Sequence, residues 1–173
     1  MKYSFFFFVL LFSLFLSCNK SDDPGRGVDL VFRKQFEIPA GLGVFDVHHF
    51  YLRDVPTHFA STLALANITA DQVARVTTTE GNLSGVFGDA NLDFIDRVSV
   101  RVYTNDPADY LEVGYRDPAP IDPGNAMGLI PSLADSKEFI SAATVNFDVV
   151  FWLRRTTTEV SPVQLDMTLR ALY

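Results

Sequence analysis

Alternation of apolar and polar side chains is the dominant pattern in the second half of the chain. It is clearest over 163–173 and 145–153, and it recurs over 98–102. Successive side chains of a β-strand point to opposite faces, so this alternation predicts strands with one buried and one solvent-facing side. Fully buried parallel strands would read as continuous apolar runs instead. The pattern therefore predicts antiparallel pairing.

Four further segments have a weaker strand pattern: 30–38, 45–52, 73–79 and 111–115. The 45–52 segment carries apolar or aromatic side chains on both sides, which indicates burial on both faces. Gly, Pro, Asn and Asp separate the strands, as turns require. About seven strands in all predict an all-β protein with an antiparallel β-sandwich, immunoglobulin-like or jelly-roll-like. A closed barrel is the alternative.

Three short segments depart from the strand pattern. Thr69 and Gln72 have the spacing of a capping box, and 132–142 follows Pro131 with apolar residues at helical spacing. The 58–66 segment fits a helix or a strand equally well. We therefore expect one or two short helices.

The longest irregular segment, 116–128, is rich in proline and glycine. Long loops on a rigid scaffold often carry recognition. Asp117, Asp122 and Asn125 are candidate binding residues there, because their side chains supply hydrogen-bond acceptors and donors. An inert surface connection is the alternative.

Trp152 is the other candidate binding residue. It lies on the nominally polar side of the 145–153 strand, beside Asp148, where its ring could present a flat platform to a sugar or a partner. Val150 shares this side, so burial on both faces or beneath a loop is the alternative.

The first seventeen residues have the order of a secretory signal. Lys2 supplies a positive charge, an apolar run extends from Phe5 to Leu16, and the small residue Ser17 ends the segment. The apolar run is too short to span a bilayer as a helix, which takes roughly 20 residues. An uncleaved membrane anchor and an ordinary signal that is cut elsewhere are the alternatives.

The residues before Cys18, Leu14–Ser17, resemble the lipobox of a bacterial lipoprotein. In that family a peptidase cuts before a cysteine whose thiol has been acylated, so the resemblance implies that Cys18 is the lipidation site. Cys18 is also the only cysteine, and a lone cysteine in a secreted protein has no disulfide partner in its own chain. Two or three acyl chains would anchor the chain stably to a membrane.

A polar run with Pro24, Gly25 and Gly27 predicts a flexible tether after Cys18. Its acidic residues resemble the export signal of surface lipoproteins of the Bacteroidota. That resemblance implies an outer-membrane location, facing the cell surface or, as the alternative, the periplasm. The expected organisation is a signal peptide over 1–17, a lipidated tether over 18–27 and a single domain over 28–173, long enough to bury a core.

Charge and the absence of reaction motifs narrow the function. Without the segment containing Lys2 the formal net charge goes from −7 to −8, so we predict no nucleic-acid partner. The sequence has no H-E-x-x-H and no G-x-S-x-G motif. His48 and His49 are adjacent in a predicted strand and point to opposite faces. We predict no metal site there and no cofactor.

Asp89, Asn91 and Asp93 have the spacing that begins a calcium-binding loop. Phe94 and Val100 stand where that loop needs Gly and Glu, so we interpret the segment as an Asx-rich turn. A looser calcium site is the alternative.

Three functions agree with these observations. The first is a non-enzymatic envelope lipoprotein, held to the membrane by acylated Cys18, that binds an envelope protein or a glycan or has a structural role. The second is a polysaccharide hydrolase that uses loop carboxylates. The third is a carrier of an apolar ligand between two sheets, suggested by the ten phenylalanines outside the signal. We expect the first, because it requires no unseen site.

Overall fold

The computed structural model describes residues 26–86 and 90–173. Cys18, the signal segment and most of the predicted tether lie outside the described residues, as does Asp89. Within the described part of the chain the fold is all-β and antiparallel, as predicted, with eight strands and two short α-helices.

Seven of the eight strands overlap predicted segments, and most extend beyond them. In chain order they are β1 (Gly27–Ile38), β2 (Val47–Pro56), β3 (Arg75–Gly85), β4 (Ile95–Tyr103), β5 (Tyr110–Arg116), β6 (Ala126–Pro131), β7 (Thr144–Leu153) and β8 (Ser161–Leu172). Every segment predicted as a strand from the pattern overlaps one of these strands.

The helices are shorter than the sequence pattern suggested. The ambiguous 58–66 segment forms α1 (Phe59–Leu65), and the helix predicted within 132–142 is confined to α2 (Lys137–Ile140). A 3₁₀ turn over Ala70–Gln72 carries the predicted capping box, in which the backbone N–H of Thr69 donates to Oε1 of Gln72 at 2.8 Å.

The strand that the pattern missed is β6. Met127 and Leu129 are buried while Gly128 between them is exposed, so the alternation is present but only six residues long. The glycine and the neighbouring prolines hid it among turn signals. The prediction that the irregular loop continues to Gly128 was therefore wrong, and the loop between β5 and β6 covers 117–125.

All eight strands belong to one hydrogen-bonded sheet, in the order β1-β8-β3-β6-β5-β4-β7-β2. The first half of β6 pairs with β3, whereas Ile130 and Pro131 at its end pair with β5. At the other side of the fold the rings of Phe36 on β1 and Phe50 on β2 lie 5.3 Å apart. The sheet therefore curves round until its two edge strands are neighbours, and the barrel is nearly closed.

Inward-facing side chains fill the space that this curved sheet encloses. The rings of Phe32 on β1 and Phe147 on β7 are 5.4 Å apart, and Phe151 packs edge-on against Phe50 at 5.5 Å. Both Phe147 and Phe151 are fully buried. One face of each strand thus supplies the core, and the opposite face is free to carry polar chemistry.

The predicted burial of both faces was wrong for β2. Val47, His49 and Tyr51 on its outer face are exposed, and Phe45, just before the strand, is 98% exposed. β2 pairs with β7 alone and ends the strand order, so its outer side chains have a neighbouring strand on one side only.

The proline-rich loop is attached to the body of the fold. Ala119 is buried, its backbone N–H donates to the carbonyl of Asp96 at 2.8 Å, and its own carbonyl accepts a hydrogen bond from Nη2 of Arg154 at 2.8 Å. The segment is therefore not an unattached connection, and the side chain of Ala119 is part of the core.

Acid should weaken one exposed ion pair between β1 and β8. Two hydrogen bonds from Arg170, at 2.7 and 3.0 Å, lower the pKa of the Asp29 carboxyl below its usual 3.8. A carboxyl with a lowered folded-state pKa contributes stability above its unfolded pKa and loses it as pH falls through the folded value. We expect Asp29→Asn to be slightly less stable than the wild type at pH 7 and equally stable at pH 2, because exposed pairs contribute little.

Urea unfolding of the Asp29→Asn variant and of the wild type at both pH values measures this difference. Asp122→Asn, on an exposed loop, is the matched control and should be as stable as the wild type at both pH values. A stability difference that stays constant between pH 7 and pH 2 would contradict the assigned role of Asp29.

Candidate functional site

A groove of about 340 Å³ lies on the outer face of the β5-β4-β7 region. The face opposite the core carries arginine, carboxylate and aromatic side chains in this region. The groove is lined by Arg97, Val98, Ser99, Arg101, Glu112, Tyr115, Asp117 and Trp152. Its volume is at the lower end of the range for small-molecule sites.

A β-bulge brings two of these side chains to the same face. Ser99 pairs with Tyr115, but the register then shifts so that Arg101 pairs with Glu112. Glu112 and Tyr115 are three residues apart and would lie on opposite faces of a regular strand. The extra residue on β5 turns both toward the groove.

Trp152 and Arg97 form the aromatic end of the groove. They are cross-strand partners on β7 and β4, and the guanidinium carbon of Arg97 lies 4.2 Å from the centre of the indole ring. Nη1 of Arg97 is also 3.8 Å from a carboxylate oxygen of Asp117. The arginine therefore joins the strand platform to the proline-rich loop.

Ser99, Glu112 and Arg101 form the polar end. The hydroxyl of Ser99 donates to Oε2 of Glu112 at 2.5 Å and accepts a hydrogen bond from Nε of Arg101 at 3.3 Å. The guanidinium of Arg101 lies 4.1 Å from the centre of the Tyr110 ring. These contacts fix the direction in which each side chain presents its remaining polar atoms.

A buried carboxylate lies beside the groove on the same outer face. Asp148 is 2% exposed, and its oxygens lie 2.9 and 3.2 Å from Nδ1 of His49. Burial raises the pKa of the neighbouring Tyr103 phenol, and the positive charge of Arg53 opposes that shift. A buried carboxylate is costly without a partner, so His49 stabilises Asp148 in this position.

The two adjacent histidines are satisfied separately. Nε2 of His48 lies 2.8 Å from the carbonyl oxygen of Gly43, to which it donates, while His49 contacts Asp148. Among the described residues, no three His, Cys, Asp or Glu side chains are placed to hold a metal ion together.

The structure separates the four candidate binding residues into two groups. Trp152 and Asp117 line the same groove. Asp122 and Asn125 are exposed on the 117–125 loop and are not among the residues that line it. The backbone carbonyl of Asn125 accepts a hydrogen bond from the N–H of Gly85 at 2.7 Å, so this residue attaches the loop to β3.

Trp152 is neither a fully exposed platform nor a fully buried side chain, the two alternatives that its sequence context left open. It is half-buried, and Arg97 stacks on its ring, so it is not a bare platform. Val150 on the same side is fully buried. One part of the indole is therefore packed into the sheet, and another part borders the groove.

The described part of the acidic 89–93 segment has the contacts of a turn. Oδ1 of Asn91 accepts a hydrogen bond from the backbone N–H of Asp93 at 3.1 Å, and the carboxylate of Asp93 is paired with Arg155. An Asx turn and an ion pair thus occupy two of the three side chains that a calcium loop would use.

Sequence reasoning missed most of the groove. Arg97, Ser99 and Arg101 were recognisable as the polar positions of a strand, but nothing in the pattern placed them beside Trp152. Glu112 and Tyr115 required knowledge of the bulge. The register of the paired strands brings these residues together, and the alternation of apolar and polar residues does not predict that register.

No protein-family model matches the chain, and no relative is found among the curated proteins. None of the helices within 26–86 and 90–173 has the length and apolar character needed to cross a membrane. The function is therefore inferred from the geometry of the groove and from the sequence around Cys18.

Proposed function

We propose that this chain is an envelope lipoprotein, anchored to the outer membrane through acylated Cys18, whose domain binds a glycan without cleaving it. The observation that carries the binding role is the meeting of Trp152 with two arginines and two carboxylates in one groove. Sugar rings have apolar C–H faces that suit an aromatic ring, and their hydroxyls both donate and accept hydrogen bonds. The groove offers an aromatic ring, hydrogen-bond donors and hydrogen-bond acceptors.

The size of the groove favours a glycan over a folded protein. A stable protein–protein interface buries about 800 Å² on each partner and is usually flat with an apolar centre. A concave site of about 340 Å³ with alternating charged and aromatic side chains fits one or two sugar rings instead.

We further infer that the nearly closed sheet is a jelly-roll sandwich. The order divides at β6 into β1-β8-β3-β6 and β5-β4-β7-β2. Apart from the pair β4 and β5, the neighbouring strands within each half are not consecutive in the chain, as in nested Greek keys. Lectin domains are among the proteins built this way, but the proposed function depends on the groove and not on this analogy.

Packing of the interior argues against a carrier of an apolar ligand. Phe36, Phe50 and Phe151 lie within ring-contact distance of one another between the two halves of the sheet, and Phe32 contacts Phe147 deeper in the core. These contacts fill the space that such a ligand would occupy.

Polysaccharide hydrolysis is the second candidate function. Glu112 and Asp117 both line the groove, and hydrolysis of a glycosidic bond uses a pair of carboxylates. Each already has a structural partner, since Glu112 accepts a hydrogen bond from Ser99 and Asp117 lies near Arg97. We therefore assign both carboxylates to binding in the first proposal.

The Trp152→Ala variant tests glycan binding. Removing the ring takes away the apolar wall of the groove, and we expect affinity for the bound oligosaccharide to fall about tenfold or more. Isothermal titration calorimetry with a panel of neutral, amino-sugar and uronic-acid oligosaccharides measures the change. Leu65→Ala, at an exposed position of α1, is the matched control and should bind as the wild type does.

Two outcomes would overturn this proposal. Unchanged affinity of a folded Trp152→Ala variant would remove the groove from the binding site, and failure of the wild type to bind any member of the panel would reject glycan binding. Chromatography of the same mixtures after incubation distinguishes the second candidate, because shortened oligosaccharides would show hydrolysis.

A further inference from the structure

We infer that the glycan bound in the groove is acidic, and that Arg97 and Arg101 recognise its carboxylate or sulfate groups. This inference rests on the proposed glycan-binding function and adds the chemical class of the ligand. It is carried by the way in which the two guanidinium groups are held.

Both arginines of the groove lie over aromatic rings. The guanidinium carbon of Arg97 is 4.2 Å from the ring centre of Trp152, and that of Arg101 is 4.1 Å from the ring centre of Tyr110. Contact with a ring occupies the face of a guanidinium group and leaves the N–H groups at its edge available. The stacking also restricts the side-chain rotamers, so a ligand loses less entropy in ordering them.

The contacts of these arginines with the described residues use few of their donors. Each guanidinium has five N–H groups. Arg101 donates from Nε to Ser99 at 3.3 Å, and Arg97 approaches Asp117 at 3.8 Å, beyond hydrogen-bond distance. The groove is therefore rich in donors, and an anionic group with several acceptor oxygens complements it better than a neutral hydroxyl does.

Position along β4 indicates more than one sugar. Arg97 and Arg101 are four residues apart on one face of the strand, which separates their Cα atoms by about 13 Å at roughly 3.3 Å per residue. The lining of the groove follows β4 from Arg97 past Ser99 to Arg101, so the two side chains start from separate positions along it. A short oligosaccharide with acidic groups on separate residues would contact both arginines and cross Ser99 between them.

Negative charge elsewhere on the protein does not prevent this binding. The net charge of the whole chain is −7, but at physiological ionic strength charges more than about 8 Å away are largely screened. Within the groove the two arginines balance Glu112 and Asp117, and Glu112 is oriented by its bond from Ser99. Because these four charges balance, the unused N–H groups of the two arginines decide the preference for an acidic ligand.

A pair of ligands with the same sugar rings, one charged and one neutral, tests the inference. Calorimetry of the full-length protein with tetragalacturonic acid and with its methyl ester, in 0.15 M salt, compares the same rings with and without carboxylates. We expect the free acid to bind about tenfold tighter or more, as for a charge-assisted hydrogen bond. A sulfated tetrasaccharide run in parallel shows which of the two anions the site prefers.

Arginine variants test which side chains cause the preference for the acid over the ester. Arg101→Gln should bring the affinities of acid and ester close together, and Arg101→Lys, which keeps the charge but loses the planar fork, should restore only part of the difference. Arg33→Gln, on the opposite sheet half, removes the same charge outside the groove and should leave the difference unchanged. Circular dichroism establishes that each variant is folded.

The possible failures are distinguishable. Equal binding of acid and ester by the wild type would overturn the acidic specificity while leaving glycan binding intact. An acid preference that persists in Arg101→Gln and Arg97→Gln would overturn the role of the arginines. Absence of binding for every oligosaccharide would overturn the proposed function itself.

Discussion

Replacement of Phe147 by Ala is expected to lower the free energy of unfolding by about 3–5 kcal/mol, the largest effect that we predict for a single side chain in the domain. Phe147 is fully buried at the centre of β7, a strand flanked by β4 and β2. Its ring contacts Phe32 from the other half of the sheet. The substitution leaves a cavity where the two halves meet, and a rigid strand on either side limits how far it can collapse.

A matched control shows whether the loss of stability comes from the burial of Phe147 or from the removal of any phenylalanine ring. Phe45→Ala removes the same atoms from a side chain that is 98% exposed, and its expected effect is within about 0.5 kcal/mol. Urea denaturation followed by circular dichroism measures both variants. Comparable losses of stability in the two would contradict the placement of Phe147 in the core.

Alternation predicted the strands because burial on one face is a local property of the sequence. β7 and β8 each have ten or more residues with a complete apolar side, and the structure places both in the interior of the sheet order. β6 failed the same test because six residues that include a glycine carry too little pattern. Length alone does not explain this difference, because β5 has only seven residues, includes Gly114 and was still predicted. The prolines and the glycine just before β6 hid it among turn signals.

Pairing could not be predicted in the same way. The sequence neighbours β6 and β7 are separated by β5 and β4 in the sheet, and β1 lies beside β8 from the far end of the chain. Nothing in one strand's pattern specifies such distant partners. This is why a sandwich could be predicted from the sequence only with a closed barrel as its alternative.

Two features of strand pairing form the groove. Trp152 meets Arg97 only because β7 is paired with β4 in one register, and Glu112 joins Arg101 only because β5 is bulged. Shifting either register by one residue would send these side chains into the core. Trp152 and Asp117 could be named as candidates from residue type, while their meeting could not.

The direction of β1 places Gly27, the last residue of the predicted tether, at the end of the domain away from Trp152. Gly27 at the start of β1 pairs with Leu172, whereas Ile38 at its end pairs with Ser161. The chain then passes through 39–46 to Val47, the cross-strand partner of Trp152. Twelve residues of strand, about 40 Å at roughly 3.3 Å each, lie between the two ends. The length of β1 therefore separates Gly27 from the end of the groove that Trp152 forms.

Substitution of Cys18 by Ala is expected to abolish lipid modification completely, because the thiol is the acceptor in the lipoprotein family that the Cys18 region resembles. Each acyl CH₂ buried in the membrane contributes about 0.8 kcal/mol, so loss of the chains should release the domain or leave it as an unprocessed precursor that retains residues 1–17. Mass spectrometry of the N-terminal peptide distinguishes these results. Ser21→Ala, in the same tether, is the control and should remain acylated.

An unmodified Cys18 at the N-terminus of the wild-type protein, or a mature chain that begins at another residue, would contradict the lipid anchor. The groove supplies an independent measurement. Because β1 separates the tether from Trp152, released Cys18→Ala protein should bind oligosaccharide with the affinity of the wild type. Loss of binding together with loss of the lipid would show instead that the acyl chains or the tether contribute to the site.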